Sequence, residues 1–197
     1  MNIKKIARNA VFAGLMCLLA ASGLSGCGSK ANPKVEVEME NGDKFVIELY
    51  PEYAPKTVDN FVKLVNEGFY DGLTFHRIVD GFVAQGGGYN AAGAKKDTEM
   101  ITGEFSNNGY TKNTLKHTKG VISMARVPGL NDSASSEFFI MFGPVDVLDG
   151  DYAAFGMVVE GMEIIDKFQE LERVLGGDGA MSSPVEPVVI KKMTVIE

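Results

Sequence analysis

The residues best suited by type and spacing to do chemistry lie in Phe75 to Gly88, FHRIVDGFVAQGGG, where Arg77 and Gln85 stand among Phe75, Phe82 and Val83. Arginine is a permanently charged planar fork of five donors, and glutamine offers both an acceptor and donors. The stretch holds no nucleophile and no pair of carboxylates. It suits a reaction that needs electrostatic stabilisation of a polar transition state and no covalent intermediate. The same residues also fit a structural reading, with Arg77 in an ion pair, His76 a hydrogen-bonded histidine, and Phe75 and Phe82 in the core.

Rival chemistries have less behind them. His76 and His117 are the only histidines, which disfavours a His-based metal site or hydrolase, and neither a metal nor a cofactor is expected. Gly86, Gly87 and Gly88 lack the lysine and Ser/Thr of a phosphate loop. Ser133 and the serines near it have no neighbouring histidine in sequence and no nucleophile-elbow pattern, so they read as loop hydroxyls. A formal net charge of -7 and a pI near 5.0 argue against the basic face that nucleic acid requires.

The elements that must position Arg77 follow from periodicity. Alternation places Phe75, Arg77 and Val79 on one face of a strand; a turn at Asp80-Gly81 leads to a second short strand with Phe82, Val83 and Gln85. Before them, Val35 to Met39 and Phe45 to Leu49 alternate around Asn41-Gly42 and read as a hairpin. Pro55 opens an amphipathic helix with Val58, Phe61, Leu64 and Val65 on one side, closed by Gly68. Gly86 to Lys119 reads as one long loop.

Strands are then expected at Val121 to Arg126, Phe138 to Phe142, Ala153 to Val159 and Val188 to Ile196, with a second helix from Met162 to about Leu171. That makes eight strands and two helices. With 197 residues, 45% of them hydrophobic, the chain is long enough for one well-buried domain and short for two. Eight mostly antiparallel strands must either form a sandwich or close on themselves, and the pattern alone does not choose.

The first 26 residues differ from the rest. Lys4, Lys5 and Arg8 precede an apolar run from Ala10 to Ala21, in the form of a signal peptide. Leu24-Ser25-Gly26-Cys27 resembles the bacterial lipobox, which implies a diacylglyceryl thioether on Cys27 and cleavage before it. An uncleaved anchor or an ordinary secretory leader is the alternative. Cleavage would leave Cys27 as the sole cysteine, so no disulfide is expected, and would take the formal charge from -7 to -10. Acyl chains, not a basic surface, would then hold the protein to a membrane.

FHR followed by GFVAQGG resembles the central signature of the cyclophilin family of peptidyl-prolyl cis-trans isomerases. The likeness continues through GVISMAR (Gly120 to Arg126), SSEFFI (Ser135 to Ile140) and LDGDYAAFG (Leu148 to Gly156). It implies a mainly β fold, a closed eight-stranded antiparallel barrel capped by two helices, over residues 35–197, after a signal peptide (1–26) and a lipidated tether (27–34). It assigns catalysis to Arg77, Phe82 and Gln85, and substrate binding to Val83, Met124, Ala125, Arg126, Glu137, Phe139, Val147, Leu148 and Tyr152. Val83 stands where many members have methionine, Glu137 where glutamine is usual, Val147 where tryptophan is frequent, and Arg126 where asparagine is common.

The resemblance implies an isomerase without cofactor, acting on proline-containing segments of exported proteins. It is expected to be a monomer, lipid-anchored on the extracytoplasmic side of the cell membrane. The alternative is a cyclophilin-like module that binds such segments without significant turnover.

Overall fold

The computed structural model describes residues 31–196; the leader and Cys27 lie outside them. β1 (Lys34–Met39) and β2 (Lys44–Leu49) form the expected hairpin, with Gly42 at φ 90° in its turn. Their alternation sends Val35, Val37, Met39, Phe45, Ile47 and Leu49 inward. α1 (Pro55–Asn66) begins on Pro55, and Ala54 before it offers no side-chain cap. Glu104 supplies the cap from the long loop: its buried carboxylate accepts from the Lys56 N–H (3.1 Å), the Thr57 N–H (2.8 Å) and the Thr57 hydroxyl (2.8 Å). The positive end of the helix thus meets a fixed negative charge.

The remaining strands are β3 (Leu73–Val79), β4 (Val83–Asn90), β5 (Val121–Met124), β6 (Phe138–Met141), β7 (Ala154–Glu160), β8 (Arg173–Leu175), β9 (Met181–Pro184) and β10 (Val188–Val195). Eight of the ten close a barrel in the order β1-β10-β3-β4-β6-β5-β7-β2, every pair antiparallel. Closure leaves no free edge, which decides between barrel and sandwich. β8 and β9 form a separate hairpin that the sequence pattern did not reveal. The second helix is shorter than expected: α2 (Met162–Asp166) passes into a 3₁₀ turn at Lys167–Glu170.

Aromatic rings fill the barrel. Phe61 of α1 meets Tyr70 at 5.2 Å, Phe138 at 5.7 Å and Phe155 at 5.1 Å between centroids, and Phe75 lies 5.2 Å from Phe168 of the 3₁₀ turn. Burying each such side chain contributes about 1.5–3 kcal/mol relative to leaving it in water. A second apolar cluster lies on the outward face of β4, β5, β6 and β7, around Val83, Val121, Phe139, Met141 and Ala154. β6 is buried on both sides, so its FFIM reads as a continuous apolar run.

Candidate functional site

Arg77 does not share a face with Phe75. From Phe75↔Gly86 to Arg77↔Gln85 the ladder advances two residues on β3 and one on β4, a bulge at His76 that reverses the alternation. Phe75 and Ile78 therefore point into the barrel, while Arg77 turns to the outer wall. There it heads a row across four strands, since Gln85 pairs with Phe139 and Phe139 with Ser123. One bulge and three registers bring residues from β3, β4, β5 and β6 side by side.

Arg77, Phe82, Val83, Gln85, Ala125, Arg126, Phe139, Leu148 and Tyr152 line one cavity of about 260 Å³. These are nine of the twelve residues the sequence singled out on the domain. The space suits one side chain better than a drug-sized ligand, which needs about 300–1,000 Å³. Phe139 and Tyr152 pack edge to face at 5.6 Å. Arg126 folds back over Tyr152 at 4.8 Å and donates from Nε to the Asp151 carbonyl at 2.9 Å, so it walls the cavity with its charge already engaged.

The other three stand elsewhere. Met124 is inside the barrel with Ile122, because alternation along β5 turns these two inward; its side chain does not line the groove as expected. Val147 is 80% exposed and does not line the cavity. It sits on a 3₁₀ turn, Asp146–Leu148, whose next residue, Leu148, turns to the groove instead. Glu137 stands behind Gln85 and borders an adjoining cavity of about 480 Å³.

The polar side of the groove is a chain of charge-assisted bonds. Arg77 donates from Nε to Asp178 Oδ2 at 2.6 Å and from a terminal nitrogen to Gln85 Oε1 at 3.4 Å, with its guanidinium 5.9 Å from the Phe82 ring centroid. Gln85 Nε2 donates to Glu137 Oε2 at 3.0 Å. Glu137 can only accept and Arg77 can only donate, so the Gln85 amide has a single satisfactory orientation. Two of the five guanidinium N–H groups are used in these bonds, and the remainder stay available at the cavity wall.

Asp178 lies at the tip of the β8–β9 hairpin and is itself fixed by Ser182 Oγ (2.7 Å) and the Ala180 N–H (3.1 Å). Those bonds and the Arg77 guanidinium hold its carboxyl well below the usual range. Beside Arg77, His76 lies 3.5 Å from Glu137 and 4.7 Å from the Tyr89 ring. Burial lowers its pKa, with Arg77 acting the same way and Glu137 opposing.

Beneath Phe139 lies an arrangement that no spacing in the chain announces. His117 Nδ1 is 3.0 Å from Asp149 Oδ1 and its Nε2 is 3.1 Å from Ser123 Oγ. The order resembles a hydrolytic triad, yet Ser123 is 0% exposed and the Phe139 ring stacks on His117 at 6.0 Å. The hydroxyl is closed to substrate, and the array packs behind Phe139, which itself lines the groove. Burial pushes the His117 pKa down against the pull of Asp149. Asp178 lies far from Arg77 in sequence and in no signature motif, and Ser123 and Asp149, although within GVISMAR and LDGDYAAFG, have no spacing to His117 that marks them as its partners. Among the described residues no cluster of His, Cys, Asp and Glu could hold a metal ion.

Comparison with known proteins agrees with this geometry. The family model for cyclophilin type peptidyl-prolyl cis-trans isomerases matches residues 34–195. The chain is 46% identical over 125 residues to peptidyl-prolyl cis-trans isomerase B of Bacillus subtilis, covering 64% of this chain and 82% of that one. It is 36% identical over 173 residues to peptidyl-prolyl cis-trans isomerase B of Escherichia coli, covering 83% and 99%. Its fold matches a Cryptosporidium parvum cyclophilin type isomerase, solved in the presence of the dipeptide Ala-Pro, with a TM-score of 0.66 at 24% identity over 83% of this chain and 99% of the other. With a barrel closed in this order and a match spanning nearly all the described residues, the chain belongs to the cyclophilin-type peptidyl-prolyl cis-trans isomerases.

Proposed function

We propose that this isomerase turns X-Pro bonds of exported polypeptides at the membrane surface, with Arg77 as the electrostatic catalyst and acyl chains on Cys27 as the anchor. The observation that carries the catalytic part is that a guanidinium with unused donors and an apolar pocket share one small cavity. Rotation about an X-Pro bond breaks amide resonance, with a barrier of about 20 kcal/mol. As the bond twists, the proline nitrogen becomes pyramidal and exposes a lone pair. A donor aimed there has no equal target in either planar state, so it lowers the barrier rather than only tightening binding.

Phe82, Val83, Phe139 and Leu148 would hold the proline ring while the preceding residue rotates. The remaining N–H of the Gln85 amide would take a backbone carbonyl of the substrate, its orientation fixed by Glu137 and Arg77. The structural neighbour solved with Ala-Pro supports a proline-containing ligand. A protease-coupled isomerisation assay on the full-length protein tests turnover; binding of proline peptides without acceleration would favour a holding module instead.

For the location, the support is the sequence Leu24-Ser25-Gly26-Cys27 after a basic and then apolar leader. Among the described residues no helix is long and apolar enough to cross a membrane. Cys27→Ser is expected to leave an unlipidated precursor with its leader attached, read by acyl labelling and fractionation. A wild-type protein that takes up no lipid label contradicts the anchor.

A further inference from the structure

Two cavities meet at Arg77 and Gln85: the proline groove, and the 480 Å³ cavity that His76, Tyr89, Glu137 and Asp178 also line. The charges facing the second do not cancel. Arg77 is held by Asp178 at 2.6 Å, and Lys95, which acts on Glu137 only as a distant charge, is paired with Asp97 at 2.9 Å. His76 stands 3.5 Å from Glu137, but burial lowers its pKa and leaves the imidazole neutral at pH 7. Glu137 is therefore the one carboxylate on this cavity without a cationic partner among the described residues.

That carboxylate is held in place. Its side chain is 22% exposed, and Gly88 makes room for it: a Cβ at position 88 would stand 2.5 Å from Glu137 Cγ. Oε2 accepts from Gln85 Nε2 at 3.0 Å, whereas Oε1 takes no hydrogen bond from the described residues. A carboxylate this far removed from water and left unpaired is costly, and a cation that reaches it offsets the cost.

The reach follows from Gln85. Its Nε2 carries two N–H groups, one on Glu137 and the other assigned above to a backbone carbonyl of the substrate. With both bonds about 3 Å long, the substrate backbone passes within about 6 Å of the Glu137 carboxylate. The four-carbon stem of a lysine, or the longer fork of an arginine, spans that gap.

We propose that Glu137 and the cavity around it form a subsite for a basic side chain, lysine or arginine, carried by the polypeptide whose proline lies in the groove. Glu137 then determines specificity: X-Pro bonds with a cationic residue close by are turned faster than those without one. The proposal rests on the placement of the proline groove at Arg77 and adds a selectivity that the glutamine usual at this position would not confer, since an amide offers no charge.

The test uses the full-length protein and X-Pro peptides that differ at one residue, which is lysine, arginine, norleucine or glutamate, placed in turn at the two positions before and the two after the proline. Exchange NMR reads kcat/KM for each. At one of these positions lysine and arginine are expected to exceed norleucine about three- to tenfold, with glutamate below norleucine. Glu137→Gln keeps an acceptor for Gln85 and removes the charge, so the ratio of lysine to norleucine should fall to within about 1.5-fold, whatever the variant does to the rate itself. Glu137→Ala gives the same ratio should the glutamine variant fail to fold. A wild-type protein with no preference for a basic residue at any position overturns the proposal, as does a preference that survives loss of the carboxylate. A protein inert towards every peptide refutes the isomerase reading instead; the same ratios, read from peptide dissociation constants, then decide the subsite on their own.

Discussion

Asp178 gives the sharpest quantitative expectation. Its carboxylate accepts from Arg77 Nε at 2.6 Å, the distance of a strong charge-assisted bond, and so sets the plane in which the guanidinium's free donors lie. Both side chains are a quarter to a third exposed (29% and 25%), which discounts a hydrogen bond between charged groups from about 1.5–3 to about 1–2 kcal/mol. If that bond is what keeps the donors on the proline nitrogen, Asp178→Ala lowers kcat about 5- to 30-fold with KM little changed. An opposing effect exists, because the carboxylate also weakens the field that Arg77 projects into the groove. Asp178→Asn separates the two: it keeps an oxygen acceptor and removes the charge. Positioning predicts that the asparagine variant stays within about threefold of wild type and the alanine variant does not. Protease-coupled kinetics with thermal melting checks both, and Ser182→Ala serves as a control that loosens the hairpin tip without touching Arg77. An alanine variant as fast as wild type, or faster, refutes the positioning role.

Turnover should be nearly flat from about pH 6.5 to 9, since the proposed step moves no proton and both histidines are shifted downward, mainly by burial. Stability has the opposite profile on the acid side. A histidine with a lowered folded-state pKa binds fewer protons folded than unfolded, so denaturant midpoints should hold above about pH 6.5 and fall as the pH drops below it. A midpoint unchanged between pH 7 and 5 would contradict the burial of neutral His76 and His117. Cyclosporin, which inhibits many cyclophilins, should bind about 5- to 150-fold more weakly than to a tryptophan-bearing relative, because Val147, 80% exposed, offers neither the donor nor the ring of an indole. Inhibition titrations on wild type and Val147→Trp check this, and equal sensitivity of wild type and such a relative would refute it.

The barrel strands were legible because one-sided burial writes itself into the sequence as alternation, as in Val35-Val37-Met39 and Phe45-Ile47-Leu49. What alternation cannot show is a register change. The bulge at His76 moves Arg77 to the opposite face from Phe75, and it arises from pairing with β4, a strand that periodicity ends too early. Gly86 to Gly88 look like loop residues, yet they are strand residues made small by their neighbours. A Cβ on Gly86 would stand 2.8 Å from the Thr74 carbonyl oxygen, and one on Gly87 would stand 2.8 Å from the Phe138 ring. The β8–β9 hairpin escaped because Gly176-Gly177-Asp178-Gly179 carries the signature of a loop and the strands beside it are three and four residues long. Nine groove residues followed from the family likeness. Their polar supports did not, since Asp178 reaches Arg77 across 101 positions and Asp149 reaches His117 across 32.

The most direct test of the account is Arg77→Ala, studied by exchange NMR on a labelled proline peptide, which reports binding and turnover in one experiment. A guanidinium that acts chiefly on the twisted bond predicts a loss of about 10²-fold in turnover, or about 3 kcal/mol of transition-state stabilisation, with peptide affinity changed far less. Equal losses in affinity and turnover would make Arg77 a contact to the planar substrate or a structural partner of Asp178, and would contradict the electrostatic mechanism.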